Sequence, residues 1–144
     1  MSPADSKPRV VVDANVLLDI VLHRSRYVQD ALRVMALGFN GRAVLVTTAS
    51  VAHSVRDVAV RSRGRAALEV LDAVLRQVTF IPETVDSVRA GLSFDDPENA
   101  SLALACLEEG IVLVATRDIA GFAPFQNRGL RPMLPAVLVA RLSQ

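Results

Sequence analysis

The 144-residue sequence contains one cysteine, Cys106, and one lysine, Lys7. A single cysteine cannot form an internal disulfide, which excludes a disulfide-stabilised secreted domain. Tryptophan is absent, and one tyrosine and five phenylalanines leave few rings for stacking on nucleobases. No apolar run reaches the roughly 20 residues of a membrane-spanning helix. The polar opening MSPADSKPR lacks the apolar core of a signal peptide, so we expect a soluble, cytoplasmic protein without membrane contact.

An excess of charge of either sign is also lacking. Sixteen basic residues oppose fifteen acidic ones, for a net charge of +1, so the total charge indicates neither a nucleic-acid-binding nor a membrane-binding protein. All basic residues except Lys7 are arginine, and arginine can hold phosphate through planar, bidentate contacts. An arginine-favouring genome composition explains the same bias equally well.

Short apolar segments alternate with helical patterns along the chain. The strands are predicted at 9–13, 43–47, 78–82, 111–116 and around 132–134, with helices at 15–23, 27–38, 48–62, 65–77, 83–92, 97–109 and 135–142. This alternation predicts an α/β fold, a three-layer sandwich around a central, mainly parallel sheet of four to five strands. Because no repeat or linker divides the chain, we expect a flexible tail over residues 1–8 and one domain over residues 9–144.

Acidic residues lie where the predicted strands end. Asp13 ends the first strand, Asp118 follows the fourth, and the pair Asp95 and Asp96 opens the helix between the third and fourth strands. In an open parallel sheet, ligands bind outside the carboxyl ends of the strands, so these acids are expected to meet at one edge. Carboxylates there repel one another unless a divalent cation shares them, and oxygen ligands suit Mg²⁺ or Mn²⁺ rather than zinc.

Each of these acids also has a purely structural interpretation. Asp13 is placed to cap the helix that follows it, and Asp96 precedes a proline at a first helical position. Asp118 is placed to cap a short turn through Ile119 to Phe122. Capping explains each aspartate singly, but it does not predict that all three fall at one sheet edge.

Three stretches resemble the PIN-domain ribonucleases. VVVDANVLLDIVLHR is similar to their first strand, which ends in a metal-binding aspartate with an asparagine close behind. FDDPENASLALACLEEGIVLVATRD resembles their second acidic block, and RPMLPAVLVARL their closing strand and helix. The similarity covers nearly the whole chain in the same order. It implies a PIN-like fold and a metal-dependent endoribonuclease that uses Mg²⁺ or Mn²⁺ and leaves a 5′-phosphate and a 3′-hydroxyl.

Transferred position by position, the resemblance makes Asp13, Asp96 and Asp118 the catalytic, metal-binding acids. It also implies that Asn15 orients the first of these acids and that Thr116 supports the last.

The sequence departs from the family pattern at one position. PIN ribonucleases usually carry a glutamate on the helix after the second strand, and Ser54 stands there in this chain. Asp57, about one helical turn further on, could replace that acid directly or through water, or could form a surface pair with Arg61. Asp95 is the alternative ligand if Asp96 serves only as a helix cap.

Four arginines are candidate RNA contacts. Arg56, Arg61 and Arg63 lie close together before the junction of two predicted helices, and Arg117 adjoins Asp118. Guanidinium groups at these positions would contact phosphates. A run of charge at a helix end is more typical of a solvated surface, which is the competing interpretation of Arg61 and Arg63.

The resemblance and the chain length imply a small toxin-type PIN protein with an RNA substrate, an antitoxin protein partner and a homodimeric assembly. Two other functions stay open. A degenerate PIN-like domain would bind RNA or protein without cleaving, an interpretation that Ser54 favours. A phosphotransfer domain of the haloacid-dehalogenase or receiver type needs a lysine in its site, and a phosphatase also needs an aspartate where this chain has Asn15. The only lysine, Lys7, lies in the polar tail.

Overall fold

The computed structural model describes residues 7–144, in which five strands form one sheet. The strands are β1 (Arg9–Val12), β2 (Val44–Thr47), β3 (Thr79–Phe80), β4 (Leu113–Ala115) and β5 (Arg131–Met133). Neighbouring strands are all parallel, in the order β3-β2-β1-β4-β5. The predicted α/β fold around a parallel sheet is therefore confirmed. Residues 1–6 of the predicted tail lie outside the described residues.

Every predicted helix is present within the described residues. The helices are α1 (Ala14–Val21), α2 (Val28–Phe39), α3 (Ala49–Arg63), α4 (Ala67–Leu75), α5 (Val85–Gly91), α6 (Pro97–Glu108) and α7 (Pro135–Leu142), with 3₁₀ segments at Gly64–Ala66 and Ala120–Arg128. None of the helices in residues 7–144 is both long and apolar enough to cross a membrane.

Several predicted elements are shorter in the structure than the sequence pattern indicated, and two of them have a clear cause. The helix predicted at 65–77 starts only at Ala67, because Gly64 ends α3 with a φ of 69° and a 3₁₀ turn follows. The strand predicted at 78–82 covers only Thr79–Phe80. It lies at the edge of the sheet, and the nearby Pro82 has no N–H to extend the ladder.

The order of the strands predicts a ligand-binding crevice at the carboxyl ends of the central strands. From β1 the chain proceeds to β2 and β3, and then returns to β4 and β5 on the other side of β1. The strand order therefore reverses between β1 and β4, where open α/β sheets bind their ligands. The helices pack in two groups, α1 to α4 with α7, and α5 with α6 and the second 3₁₀ segment.

A buried core fixes the segment that follows β4. Phe122 and Phe125, from the 3₁₀ segment Ala120–Arg128, are among the largest fully buried side chains. Their burial holds the chain directly after Asp118. Cys106 is also fully buried, as predicted, and burial raises the pKa of its thiol to about 12. A thiol in this environment is unreactive.

Candidate active site

The carboxylate of Asp13, at the carboxyl end of β1, is 4% exposed and fully hydrogen-bonded. The Ala14 N–H donates to Oδ1 at 2.8 Å, which confirms the predicted cap of α1. Asn15 Nδ2 and Thr116 Oγ1 both donate to Oδ2, at 3.0 and 2.8 Å. A buried carboxylate is costly unless such donors satisfy it. Donors from the ends of both β1 and β4 therefore fix the orientation of Asp13.

The segment after β4 is tied to the turn after β1. The backbone N–H of Arg117 donates to Asn15 Oδ1 at 3.1 Å, and that of Asp118 donates to Thr116 Oγ1 at 2.9 Å. Asn15 thus contacts Asp13 through its amide nitrogen and the Thr116–Asp118 segment through its amide oxygen. These bonds hold the backbone of Asp118 beside Asp13.

The Asp118 carboxylate accepts two further hydrogen bonds. The Gly121 N–H donates to Oδ1 at 3.1 Å, the turn that the sequence predicted, and Asn99 Nδ2 donates to Oδ2 at 3.1 Å. A Cβ atom at Gly121 would overlap both the Asp118 carboxylate and the Asn99 amide. Position 121 therefore requires glycine if Asp118 and Asn99 are to keep this arrangement.

The first turn of α6 contributes residues that the sequence analysis did not select. Asp96 caps the helix as predicted, with Oδ1 accepting from the Asn99 N–H at 3.0 Å and Pro97 in the first turn. Glu98 Oε2 accepts from Ser54 Oγ of α3 at 2.8 Å. Asn99 contacts Asp118, so α6 supplies both an acid and an amide. The metal-binding role of Asp96 stays a prediction.

Three carboxylates interact electrostatically at this crevice. Burial raises the pKa of Asp13 from 3.8 to about 6, and the negative charges of Glu98 and Asp118 add to the rise. Hydrogen bonds from Thr116 and Ala14 oppose it without cancelling it. A proton or another cation is therefore favoured beside Asp13.

The region that carries these acids matches a known family. Residues 9–120, from β1 to the start of the second 3₁₀ segment, match the PIN domain. The chain belongs to the PIN-domain family. No curated protein matches it significantly. The predicted resemblance to PIN-domain proteins is thus confirmed at the level of the family. Members of this family are typically metal-dependent nucleases.

The donors of this PIN domain suit a hard divalent cation in chemical type. The carboxylates of Asp13, Glu98 and Asp118 offer the oxygen ligands that Mg²⁺ and Mn²⁺ prefer. Nevertheless, no group of three or more His, Cys, Asp or Glu side chains within residues 7–144 is arranged to hold a metal ion. The ligand types therefore fit the divalent cation that the family uses, but the described carboxylates are not already arranged as a complete metal site.

Asp57 lies on the surface of α3. Its side chain is 66% exposed, and one oxygen lies 3.9 Å from Arg56 NH1. Arg61 Nε donates to the backbone carbonyl of Asp57 at 3.1 Å, not to its carboxylate. Both Asp57 and Arg61 border a surface groove of about 300 Å³. That Asp57 replaces the missing glutamate stays a prediction. The acid that Ser54 contacts in the structure is Glu98.

Arg117 forms a nearly buried ion pair that the sequence analysis missed. Its Nε and NH2 groups donate to the two oxygens of Asp19, at 2.8 and 2.9 Å. The Asp19 side chain is 1% exposed and the Arg117 side chain 25%. The guanidinium also lies 3.8 Å from the centroid of the Tyr27 ring, and the hydrogen bonds to Asp19 raise the pKa of Arg117. Two of its five guanidinium donors and one face of the group are thus engaged within the protein.

The other candidate RNA contacts differ in how far they are engaged. Arg63 NH2 donates to the Leu22 carbonyl at 2.6 Å and so joins α3 to the end of α1. The Arg56 and Arg61 side chains lie at the same groove on the surface of α3. Contacts of all four arginines with RNA stay predictions, and Arg56 and Arg61 are the more accessible members.

Proposed function

We propose that this PIN domain is an endoribonuclease that depends on Mg²⁺ or Mn²⁺. The observation that carries the proposal is the convergence of Asp13, Glu98 and Asp118 at the strand-order reversal, each held by hydrogen bonds from another segment. Nuclease chemistry is typical of the family to which the chain belongs. A Mg²⁺ or Mn²⁺ ion held by these acids would neutralise their charge and lower the pKa of a water for attack on phosphorus.

In this proposal Glu98 completes the acidic set in place of Asp96. Asp96 Oδ1 is engaged in the cap of α6, whereas the charge of Glu98 acts directly on Asp13. The carboxylate of Asp13, with a pKa of about 6, is largely ionised at pH 7. Ser54 orients Glu98, and the backbone of Gly121 orients Asp118.

The substrate would be held by cations on the surface of α3. Arg56 and Arg61 lie on α3, the helix that carries Ser54, and present guanidinium groups to solvent. Guanidinium contacts to phosphate position a nucleic acid without reading its sequence. We assign these two arginines to the phosphates that flank the cleaved bond.

A degenerate domain that binds RNA or protein without cleavage is the second candidate. The predicted replacement of the usual glutamate by Ser54 favours it, and so does the lack of a metal-ready acid cluster within residues 7–144. By analogy with small toxin-type relatives, either function would operate in the cytoplasm as a homodimer inhibited by an antitoxin protein.

A cleavage assay separates these two functions. Purified protein is incubated with a pool of single-stranded and structured RNAs in Mg²⁺, Mn²⁺ or EDTA, beside Asp13→Asn and Glu98→Gln. Cleavage that requires metal, leaves 5′-phosphates and is lost in both variants supports the nuclease. Asp86→Asn, which removes a charge from the exposed face of α5, is the matched control. No cleavage and no Mn²⁺ binding by calorimetry would favour the degenerate domain.

A further inference from the structure

A cavity of about 200 Å³ adjoins the acidic crevice and is not used by the proposed reaction. Its lining includes Phe94, Asp95, Asp96, Ala120, Gly121 and Phe125, and we call these residues the base pocket. The backbone of Gly121 lines the base pocket and also donates to Asp118 Oδ1 at 3.1 Å. A group bound in the cavity would therefore lie against the backbone that orients Asp118.

The walls of the base pocket suit a flat ring. Phe94 and Phe125 lie with their centroids 4.9 Å apart and their planes at 42°. Phe125 is fixed in the core, whereas Phe94 is only half-buried and keeps part of its ring open to the cavity. The small side chains of Ala120 and Gly121 leave room beside the two rings. Unpaired bases of RNA are commonly bound by stacking on aromatic side chains in this way.

The polar groups of the base pocket are hydrogen-bond acceptors. Asp95 and Asp96 are exposed carboxylates beside the aromatic wall, and an ionised carboxylate has no hydrogen to donate. Asp96 accepts the Asn99 N–H through Oδ1, so its Oδ2 takes no part in the helix cap. These negative charges repel phosphate, which favours entry of a base edge over entry of the RNA backbone.

Guanine is the base whose edge matches two acceptors. Its Watson–Crick edge carries two adjacent donors, N1–H and the N2 amino group. Adenine and cytosine offer one amino group beside an acceptor nitrogen, and uracil offers one N–H between two carbonyl groups. Two adjacent carboxylate oxygens can therefore accept two parallel hydrogen bonds from guanine alone among the four RNA bases, and such paired contacts give strong discrimination.

We propose that the base pocket binds an unpaired guanine of the RNA next to the phosphate held at the acidic crevice. The proposal rests on the proposed function, because it takes RNA as the substrate. Phe94 stacks on the base, and Asp95 and Asp96 accept its N1–H and N2 amino hydrogens. Arg128, whose guanidinium lies 5.9 Å from the Phe125 ring centroid, supplies positive charge near the adjoining nucleotide.

The test measures binding in EDTA, so that it does not depend on cleavage. Fluorescently labelled uridine hexamers carrying one central guanine, inosine, adenine or no substitution are titrated with the full-length protein at low salt. We expect guanine to bind about tenfold more tightly than adenine. Inosine, which lacks the N2 amino group, should lie between them.

Two variants test the base pocket directly. In Asp95→Asn/Asp96→Asn, asparagine preserves the α6 cap but removes the two charged acceptors, so the preference for guanine should fall below about twofold. Ala120→Leu fills the cavity from an exposed position and should remove the same preference. Asp86→Asn should keep it, and circular dichroism checks the folding of every variant.

The outcomes separate this proposal from the proposed function. Equal affinity for the guanine and adenine hexamers, beside metal-dependent cleavage of the RNA pool, would overturn the base pocket and leave the nuclease intact. A guanine preference without cleavage would support the base pocket in a degenerate domain. Failure of every hexamer to bind would overturn the base pocket, and the cleavage assay would then decide separately on the nuclease.

Discussion

Ser54 Oγ of α3 donates a 2.8 Å hydrogen bond to Glu98 Oε2 of α6 and so joins two helices beside Asp13. From the sequence pattern, the serine is predicted to stand where PIN ribonucleases usually carry a glutamate. In this chain the negative charge near Asp13 comes instead from a glutamate on another helix, and the serine holds that glutamate in place. We propose that Glu98 partly compensates for this predicted departure from the family pattern.

Restoring the family's acid should strengthen cation binding. Ser54→Glu places a second carboxylate beside Glu98, and like charges at this distance destabilise the protein without metal. In EDTA we expect the variant to have a lower melting temperature than wild type. Adding Mn²⁺ should raise that melting temperature more than it does in wild type. The Mn²⁺ affinity should increase about tenfold, because affinity depends on the charge of the ligands. Calorimetry and thermal melts measure the two effects.

The matched control for this substitution is Ser54→Gln, which has a similar shape and no charge. It should lower the melting temperature little in EDTA and should not increase the response to Mn²⁺. Equal Mn²⁺ responses of the Glu and Gln variants would contradict the assignment of Ser54 to the acidic crevice.

Asp13 should give the folding stability a distinct pH dependence. Its pKa is raised from 3.8 to about 6 in the folded protein, so the folded state binds a proton more tightly than the unfolded state. The contribution of Asp13 to stability therefore falls as the pH rises from about 4 to about 6 and is constant above that range. A shift of about two pKa units corresponds to about 3 kcal/mol.

Asp13→Asn cannot titrate at this position and should not have this dependence. The stability of the variant relative to wild type should rise by up to about 3 kcal/mol between pH 4 and pH 6, whatever the fixed cost of the altered hydrogen bonds. Urea denaturation in EDTA at several pH values measures the difference. A difference that stays constant over this range would contradict a raised pKa for Asp13.

The carboxyl ends of β1 and β4 could be predicted from the sequence because both strands end in buried apolar residues. Asp13 follows β1 directly and Asp118 follows β4 after Thr116 and Arg117, so the parallel order of the sheet brings them together. The residues on α6 were harder to select. Successive helical positions differ in direction by about 100°, so the tilt of α6 decides whether Asp96, Glu98 or Asn99 reaches the crevice. A sequence does not give that tilt.

Asp19 could not have been selected for a different reason. It lies in the apolar run VLLDIV within α1. The nearby Arg24 lies 3.4 Å from Asp19 Oδ1, but the closer partner is remote in the sequence. Arg117 is 98 positions away and reaches Asp19 only because β1 and β4 are neighbours. Arg117 was predicted to contact RNA because it adjoins Asp118. In the structure its guanidinium contacts Asp19 and Tyr27.

Loss of the Asp19 carboxylate should destabilise the fold. Asp19→Asn leaves the partly buried Arg117 without its counter-charge, and breaking a buried pair costs about 3 kcal/mol or more. Urea denaturation at neutral pH measures the change. Asp72→Asn is the matched control, because Asp72 and Arg76 form a pair at 2.9 Å with both side chains well exposed. An exposed pair contributes less than about 1 kcal/mol, so similar losses for the two variants would argue against a stabilising role of Asp19.

Charge reversal on α3 should weaken RNA binding in a salt-dependent way. Arg61 lies at the α3 surface groove, and each phosphate contact to single-stranded RNA contributes about 0.7 to the slope of log affinity against log salt. Arg61→Glu should therefore lower the affinity for a uridine hexamer and flatten that slope by at least about 0.7, as measured by fluorescence anisotropy across a salt series.

Arg63→Glu should lose stability as well, because Arg63 also donates to the Leu22 carbonyl. Arg141→Glu, on α7, makes the same change of net charge elsewhere and should keep the wild-type slope. Equal slopes for the Arg61 and Arg141 variants would remove α3 from the RNA-binding surface.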